Sequence, residues 1–349
     1  LYDAGAGAAF GSLVGGLAAF FILAVFWAKR EKKATAARME AGTGDILKQL
    51  CLYSVTICTA GLMLILIQLV DALHLYSLLA GQGMGELQAK HTKGVYDRGQ
   101  PLLQLGTVFA ASIATALVPS LTKAKKKGET AVLEEKIRYS LKMSFVIGTG
   151  AAAGLICILE PVNVMLFKNS DGTAALQIFS ASILFASLAM TMTAVLQGLG
   201  NTCLPAVSVC CGFLVKAVLN ELLIPGFGIS GAAFATMMSF AAVSGLNFFQ
   251  LKRKGWIKLS EYRIAGVLLS AVIMSAALAV WLFAFEAAIP HKSRWISAAE
   301  SLSAVFVGGV VFLSGIFTLR VFSEKELELV PFGSKLLTLK RERGGRHGR

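Results

Sequence analysis

Long apolar runs, separated by short polar or basic intervals, organise this chain from end to end. Nine of the runs approach the ~20 residues that a helix needs to cross a hydrocarbon core. They are Gly5–Trp27, Ile46–Leu73, Pro101–Leu121, Leu141–Phe167, Ala174–Gly198, Leu204–Ile224, Ile229–Gln250, Ile264–Ala287 and Ala298–Leu319. Glycines and prolines inside the runs do not argue against helix, because membrane spans tolerate both better than soluble helices do. The pattern predicts an all-α polytopic membrane bundle of nine transmembrane helices.

Composition removes the soluble alternative. The 349 residues are 56% hydrophobic and 15% charged, with a mean hydropathy of +0.69, whereas a soluble domain carries about 25% charged residues. The basic residues then set a topology. Six Lys/Arg lie in Lys29–Lys48, seven in Lys123–Lys142, five in Lys252–Arg263 and eight in Arg320–Arg349, so alternate intervals hold 26 of the 33. The opposite intervals hold Lys90, Lys93 and Arg98, then Lys168, then Lys292 and Arg294. The positive-inside bias makes the first set cytoplasmic, with the amino terminus outside and the carboxyl terminus inside. The net charge of +13 is thus a topology signal and not a nucleic-acid surface, because the cations sit in short juxtamembrane intervals.

The same count gives an odd number of spans. The chain starts at Leu1, and no basic residue precedes its first apolar run, so no signal peptide is read there. The expectation is a fragment or truncated product lacking an odd number of amino-terminal helices.

Catalytic chemistry finds no footing. Cys51, Cys58, Cys157, Cys203, Cys210 and Cys211 lie in or beside the runs without metal-ligand spacing. His74, His91, His291 and His347 are scattered. No GxSxG, P-loop or HExxH occurs, which excludes a recognisable hydrolase or nucleotide site. No cofactor is expected.

Polar residues within the runs are the informative ones, since each must find a partner or line a cavity. Asp97-Arg98 stands at the mouth of the third run, with Gln100 and Gln104 just beyond. Gln68 and Asp71 lie near the end of the second, and Gln197 ends the fifth. Lys216 and Asn220 share one face of the sixth, four residues apart. Lys216 lies about 12 residues into a run of about 21, near mid-depth at ~1.5 Å per residue, which points to an internal partner, with Asp71 the leading acid, over an amine reaching for an interface.

Three segments carry a family resemblance: VYDRGQPLLQLGTVFAASIATALVPSLTKA at Val95–Ala124, LQGLGNTCLPAVS at Leu196–Ser208, and VKAVLNELLIPGFGISGAAFAT at Val215–Thr236. Their order and spacing resemble the stage V sporulation protein B branch of the polysaccharide transporters. That branch shares a superfamily with the multidrug and toxin extrusion proteins, the oligosaccharide flippases and the MurJ-type lipid II flippases. The resemblance covers essentially the whole chain and implies two six-helix lobes followed by two further helices, fourteen in all, moving by alternating access around a midplane site. The nine runs then correspond to the sixth through fourteenth. Residues 1–28 become the last amino-lobe helix, 29–45 a basic linker, 46–250 the carboxyl lobe, 251–263 a loop, 264–320 the additional pair and 321–349 a basic tail.

What the resemblance implies for chemistry is flipping of an undecaprenyl-pyrophosphate-linked cell-wall precursor, lipid II-like, across the bacterial plasma membrane. Arg98 would grip phosphate with its fork and Asp97 would orient it, while Gln100, Gln104 and Gln197 would meet sugar or peptide. Some relatives bind sodium where Asp71, Asn220 and Thr236 stand; Lys216 departs from that pattern, and its ammonium is expected to take the cation's role, with sodium or proton coupling left open. The expected partners are the lipid-linked oligosaccharide, membrane lipids and the absent amino-terminal helices. Export of another lipid-linked oligosaccharide, multidrug efflux and a nonfunctional remnant are the competing readings. A membrane-embedded transferase would require a histidine or paired carboxylates at one interface, and none is visible.

Overall fold

The computed structural model describes residues 2–30, 43–257, 263–289 and 293–322. Regular structure among them is entirely helical: α1 (Tyr2–Arg30), α2 (Thr43–Gly61), α3 (Met63–Gly81), α4 (Glu86–Asp97), α5 (Gly99–Lys126), α6 (Thr130–Phe167), α7 (Thr173–Gly198), α8 (Cys203–Arg253), α9 (Ile264–Ala288) and α10 (Arg294–Thr318). Among the described residues seven helices are long and apolar enough to cross a membrane, with α4 and α5 counted together. Much of the basic linker, the 251–263 loop and the basic tail falls on residues 31–42, 258–262 and 323–349, outside the described residues.

Two compact units divide the chain at Leu52. The first contains α1, a 29-residue helix. The second, residues 53–349, holds every polar group discussed below.

One of the expected runs takes a different form. The run Ile46–Leu73 is split at Leu62, where the backbone departs from helix, and the span-length piece is α3. Hydrogen bonds from Leu62 N to Cys58 O and from Leu66 N to Leu62 O, both 2.8 Å, carry the chain through this bend. The run read from the sequence ends at Leu73, but Leu75, Leu78 and Leu79 extend the helix to Gly81. Asp71 therefore stands mid-helix and not near an end.

The runs Leu204–Ile224 and Ile229–Gln250 are the two limbs of α8, separated by a break at Gly228. Gly228 adopts φ 55° and ψ −135°, a conformation that glycine reaches at little steric cost. The two limbs fold back on each other. Ser239 Oγ donates to Gly212 O at 2.7 Å, whereas an unbroken helix would separate those residues by about 40 Å. Close approach is possible because position 212 is glycine: a Cβ there would lie 2.4 Å from Val243 Cγ2.

α7 is the central helix, packed by α5, α6 and α8. Its buried positions are mostly small or hydroxylic, including Ala175, Ser180, Ser182, Ala186, Ser187 and Ala189. Such residues let backbones approach closely where lipid supplies no hydrophobic drive between helices. α9 and α10 pack on each other and on α6 around Met274, Leu278, Ala304 and Phe312. Phe312 fills the gap over Gly150, where a Cβ would stand 2.6 Å from its ring.

The ends of the bundle differ. Leu121, Ala124, Leu133, Leu199, Leu251 and Ile257 gather in one cluster, so the intervals after α5, α7 and α8 meet at one end, bringing Lys123, Lys125, Lys136 and Lys252 with them. At the other end Arg294 Nε donates to Met165 O at 2.9 Å.

Candidate functional site

Four of the residues singled out in the sequence meet in one buried cluster between α3, α4 and the two limbs of α8. Lys216 is 0% exposed and Asp71 2%. The Lys216 ammonium lies 2.6 Å from Asp71 Oδ2 and also donates to Thr236 Oγ1. Asn220 Nδ2 donates to Asp71 Oδ1 at 3.1 Å. The i, i+4 spacing of Lys216 and Asn220 places both on the same stripe of α8, which is why one carboxylate receives both.

The fifth member is Tyr96, at the end of α4 and fully buried. Its hydroxyl is 2.9 Å from Asp71 Oδ2, 2.8 Å from Thr236 Oγ1 and 3.4 Å from Ala232 O. Thr236 Oγ1 accepts from Lys216 and shares its own proton between Ala232 O, at 2.9 Å, and the Tyr96 oxygen. Tyr96 then donates to the carboxylate. Asp71 thereby receives a cation, a phenol and an amide, and the cluster is neutral overall. A buried ion pair supplied with such donors is tolerated, although taking both charges out of water offsets most of their attraction. Among the described residues Asn220 Oδ1 has no hydrogen-bond partner.

The next two residues along the chain turn elsewhere. Successive side chains on a helix diverge by about 100°, and Arg98 continues helical geometry at φ −59° and ψ −25°. Tyr96 therefore points into the cluster, Asp97 outward, and Arg98 toward the α6–α7 turn. Arg98 Nη1 donates to Asn169 Oδ1 at 2.6 Å and Asn163 Oδ1 at 3.3 Å, and the guanidinium lies 4.6 Å from the Phe167 ring centroid. Asn163 in turn donates to Asp171 O at 2.9 Å. Lys168 closes α6 in a left-handed conformation, φ 64°, and this reversal presents Asn169 to Arg98. Asp97 is exposed and forms no ion pair with Arg98 among the described residues. The expectation that Asp97 orients Arg98 is replaced by two asparagines and a phenyl ring.

Asp97 belongs to a different surface. Asp97, Gln104, Ser112 and Thr115 are all exposed and fall within an arc of about 80° on the α4–α5 helix at 3.6 residues per turn. Ser112 and Thr115 return their protons to Val108 O and Ala111 O at 2.9 and 2.8 Å, leaving oxygen lone pairs outward. Thr115 also lines a cleft of about 260 Å³ shared with Gly61, Met63, Val118, Thr193 and Gln197. Gln197 thus joins the α5 face at its Thr115 end. Gln100 is half-buried, and its Oε1 is enclosed without a partner among the described residues.

Tyr96, Asn163 and Asn169 were not singled out in the sequence. Tyr96 reads there as one more aromatic beside an interface; its position one residue before Asp97-Arg98 is the available signal. Among the described residues no group of three His, Cys, Asp or Glu side chains is placed to hold a metal.

The polar face and the buried cluster describe a transporter-like bundle, and comparison supplies its family. Residues 2–299 match the family described as Lipid II flippase MurJ. The chain belongs to this MurJ family. It is 52% identical over 346 residues to YabM of Bacillus subtilis (strain 168), described as an uncharacterized membrane protein, covering 98% of this chain and 65% of that one. It is 23% identical over 322 residues to the lipid II flippase MurJ of the same organism, covering 88% and 59%. A solved structure titled as lipid II flippase MurJ in an inward closed conformation aligns with TM-score 0.57 at 14% identity, covering 82% of this chain and 57% of that one. That likeness shows the fold. The chain spans about two thirds or less of the length of these relatives. MurJ proteins are flippases and not enzymes, and this member is a multi-pass protein of the bacterial plasma membrane.

Proposed function

We propose that this MurJ-family chain carries a lipid-linked, pyrophosphate-bearing cell-wall precursor across the membrane, with the exposed polar face of α5 forming part of the path. The observation that carries the reading is the spacing of Asp97, Gln104, Ser112 and Thr115 on one side of an otherwise apolar helix. Eighteen residues separate the first from the last, about 27 Å of rise, close to the ~30 Å of a hydrocarbon core. Outward polar groups over that length suit a headgroup crossing and not a helix solvated only by lipid. Gln104, Gln197 and Gln100 offer amides to sugar or peptide. Arg98 keeps Nε and Nη2 without a hydrogen bond among the described residues, and we assign that edge to the pyrophosphate.

We further assign the end that gathers Lys123, Lys125 and Lys136 to the cytoplasm. Nine membrane crossings then count α1 and take the two limbs of α8 separately. The three motif segments favour the sporulation branch of the family.

Lys216 is the coupling element in this reading. Its ammonium occupies a ring of oxygens, from Asp71 and Thr236 with Ala232 and Tyr96 close by, that would otherwise suit a monovalent cation. A tethered cation makes the lobe independent of sodium, with membrane potential as the drive, worth about 2.3 kcal/mol per charge per 100 mV. Lys216→Asn is expected to convert transport to sodium dependence; unchanged ion response in that variant sinks the assignment.

The flippase reading is tested by expressing the intact protein in cells depleted of their lipid II flippase and measuring lipid II arriving at the outer leaflet. Wild type restores arrival, and Gln104→Ala lowers it without lowering the amount of folded protein. No restoration, together with export of a different lipid-linked oligosaccharide, moves the assignment to that substrate. Multidrug efflux is the second reading, favoured by the exposed carboxylate of Asp97; it requires cationic dye extrusion that Asp97→Asn abolishes.

A further inference from the structure

A second cleft, of about 360 Å³, opens where α5 ends and α6 begins, lined by Ser120, Lys123, Ala124, Lys127, Glu129 and Lys136. It plays no part in the face or the cluster described above. Three ammonium groups meet one carboxylate there, leaving a net positive site. Lys127 and Glu129 approach only to 3.6 Å with side chains 57% and 44% exposed, so this pair contributes little and leaves Lys127 available. Lys136 differs from the other two. It is half-buried, and its Nζ donates to Ser120 Oγ at 2.6 Å across the two helices. That bond fixes the ammonium in the cleft with two N–H donors to spare. Because Ser120 accepts from Lys136, its own hydroxyl proton is free to donate, and it has no acceptor among the described residues.

The cleft lies at the depth where the apolar run of α5 closes at Leu121 and the lysines begin. In a membrane this is the level of phospholipid phosphates, and Pro119 and Ala116, both exposed, continue the wall toward the acyl chains. We propose that the cleft binds the phosphate of an anionic phospholipid headgroup. Lys123 and Lys127 supply charge, and the Lys136–Ser120 bridge supplies directed donors to phosphate oxygens. A solvated basic loop would have the charge without the fixed ammonium, the hydroxyl and the enclosed volume. The assignment rests on membrane placement and not on the substrate of transport.

The test uses the intact protein in a mild detergent, with bound lipid counted by native mass spectrometry. Phosphatidylglycerol is expected to bind in preference to phosphatidylcholine. Lys123→Gln weakens it about fivefold, the value of one lysine near an anionic surface, and Lys123→Gln/Lys127→Gln weakens it about 25-fold. Lys126→Gln removes the same charge outside the cleft and leaves binding unchanged. Ser120→Ala reduces binding and Lys123→Arg retains it, which separates loss of the site from loss of the fold. The proposal is overturned if Lys126→Gln weakens binding as much as Lys123→Gln, if phosphatidylcholine binds equally well, or if glycerol 3-phosphate displaces the lipid at matching concentration.

Discussion

Replacing Lys216 with methionine removes the ammonium while keeping most of the side chain's volume, so it isolates the electrostatic contribution of the buried pair. In the variant Asp71, 2% exposed, keeps Tyr96 and Asn220 as donors but loses its cation. Removing one partner of a buried ion pair costs about 3–5 kcal/mol. The two surviving donors favour the lower end, and 3 kcal/mol is roughly a 150-fold shift in the folding equilibrium. Removing both charges in Asp71→Asn/Lys216→Met leaves a hydrogen-bonding amide facing an apolar chain, and replacing both charges is often close to neutral. The double variant should therefore be more stable than Lys216→Met alone, with a coupling energy of about 2–3 kcal/mol. Denaturant unfolding of the detergent-solubilised protein, followed through all four corners of the cycle, measures this. Additive losses in the double variant, or a Lys216→Met protein as stable as wild type, would refute an energetically coupled pair.

Four further outcomes follow from the packing. Tyr96→Phe deletes the phenol that donates to Asp71 and should lower stability by about 1–1.5 kcal/mol, read by the same unfolding assay. Arg98→Ala removes the bonds to Asn163 and Asn169 and should cost about 1.5–3 kcal/mol; Arg98→Lys, lacking the planar fork and its stacking on Phe167, should recover less than half of that melting-temperature loss. Gly106→Leu drives a side chain into Ile183, whose Cδ1 is already 2.6 Å from the Cβ position, and should cost about 1–3 kcal/mol. Gly94→Ala, with nothing within 4 Å of its Cβ position, should leave stability unchanged or raise it slightly, again by melting temperature.

What the sequence displayed and what it hid divide along physical lines. Apolar run length and the alternation of basic intervals depend on the bilayer, which acts on every residue alike, so helices and the two ends of the bundle were legible. Lys216 was legible in part: an amine at mid-depth with an amide four residues on calls for an acid, and Asp71 was the leading candidate among the acids that the runs contain, Glu160, Glu221, Glu286 and Glu300 being the others. The run read from the sequence stops at Leu73, whereas the helix continues because Leu75 and Leu79 pack inside. The reversal at Gly228 was foreshadowed by its neighbours Pro225 and Gly226, yet the contact of Gly212 with Val243 depends on two limbs meeting. The direction of Arg98 was hidden most fully. It is set by a left-handed Lys168 placing Asn169 on the far side of another helix, a long-range outcome of a local backbone choice.

That direction changes how the α4–α5 junction works. Tyr96, Asp97 and Arg98 diverge by helical geometry alone, so one short segment is tied simultaneously to the buried ion pair, to the exposed polar face and to the α6–α7 turn. A shift of α4 relative to α8 that loosens Tyr96 from Asp71 must also rotate or translate Asp97 on the outward face, because both ride on the same turn of helix. Arg98 resists that movement through its asparagines, and it does so from the side opposite the cluster. The junction therefore has two anchorages of different character. One is a charge pair sensitive to any change at Lys216 or Asp71, and the other is a cation held by neutral partners, with no direct contact to either residue. A coupled movement of the polar face follows from breaking the first while the second acts as the pivot. Arg98→Ala and Lys216→Met should accordingly differ in kind: the pivot variant uncouples the face from the cluster, whereas the charge variant leaves the face coupled to a cluster that no longer holds one state.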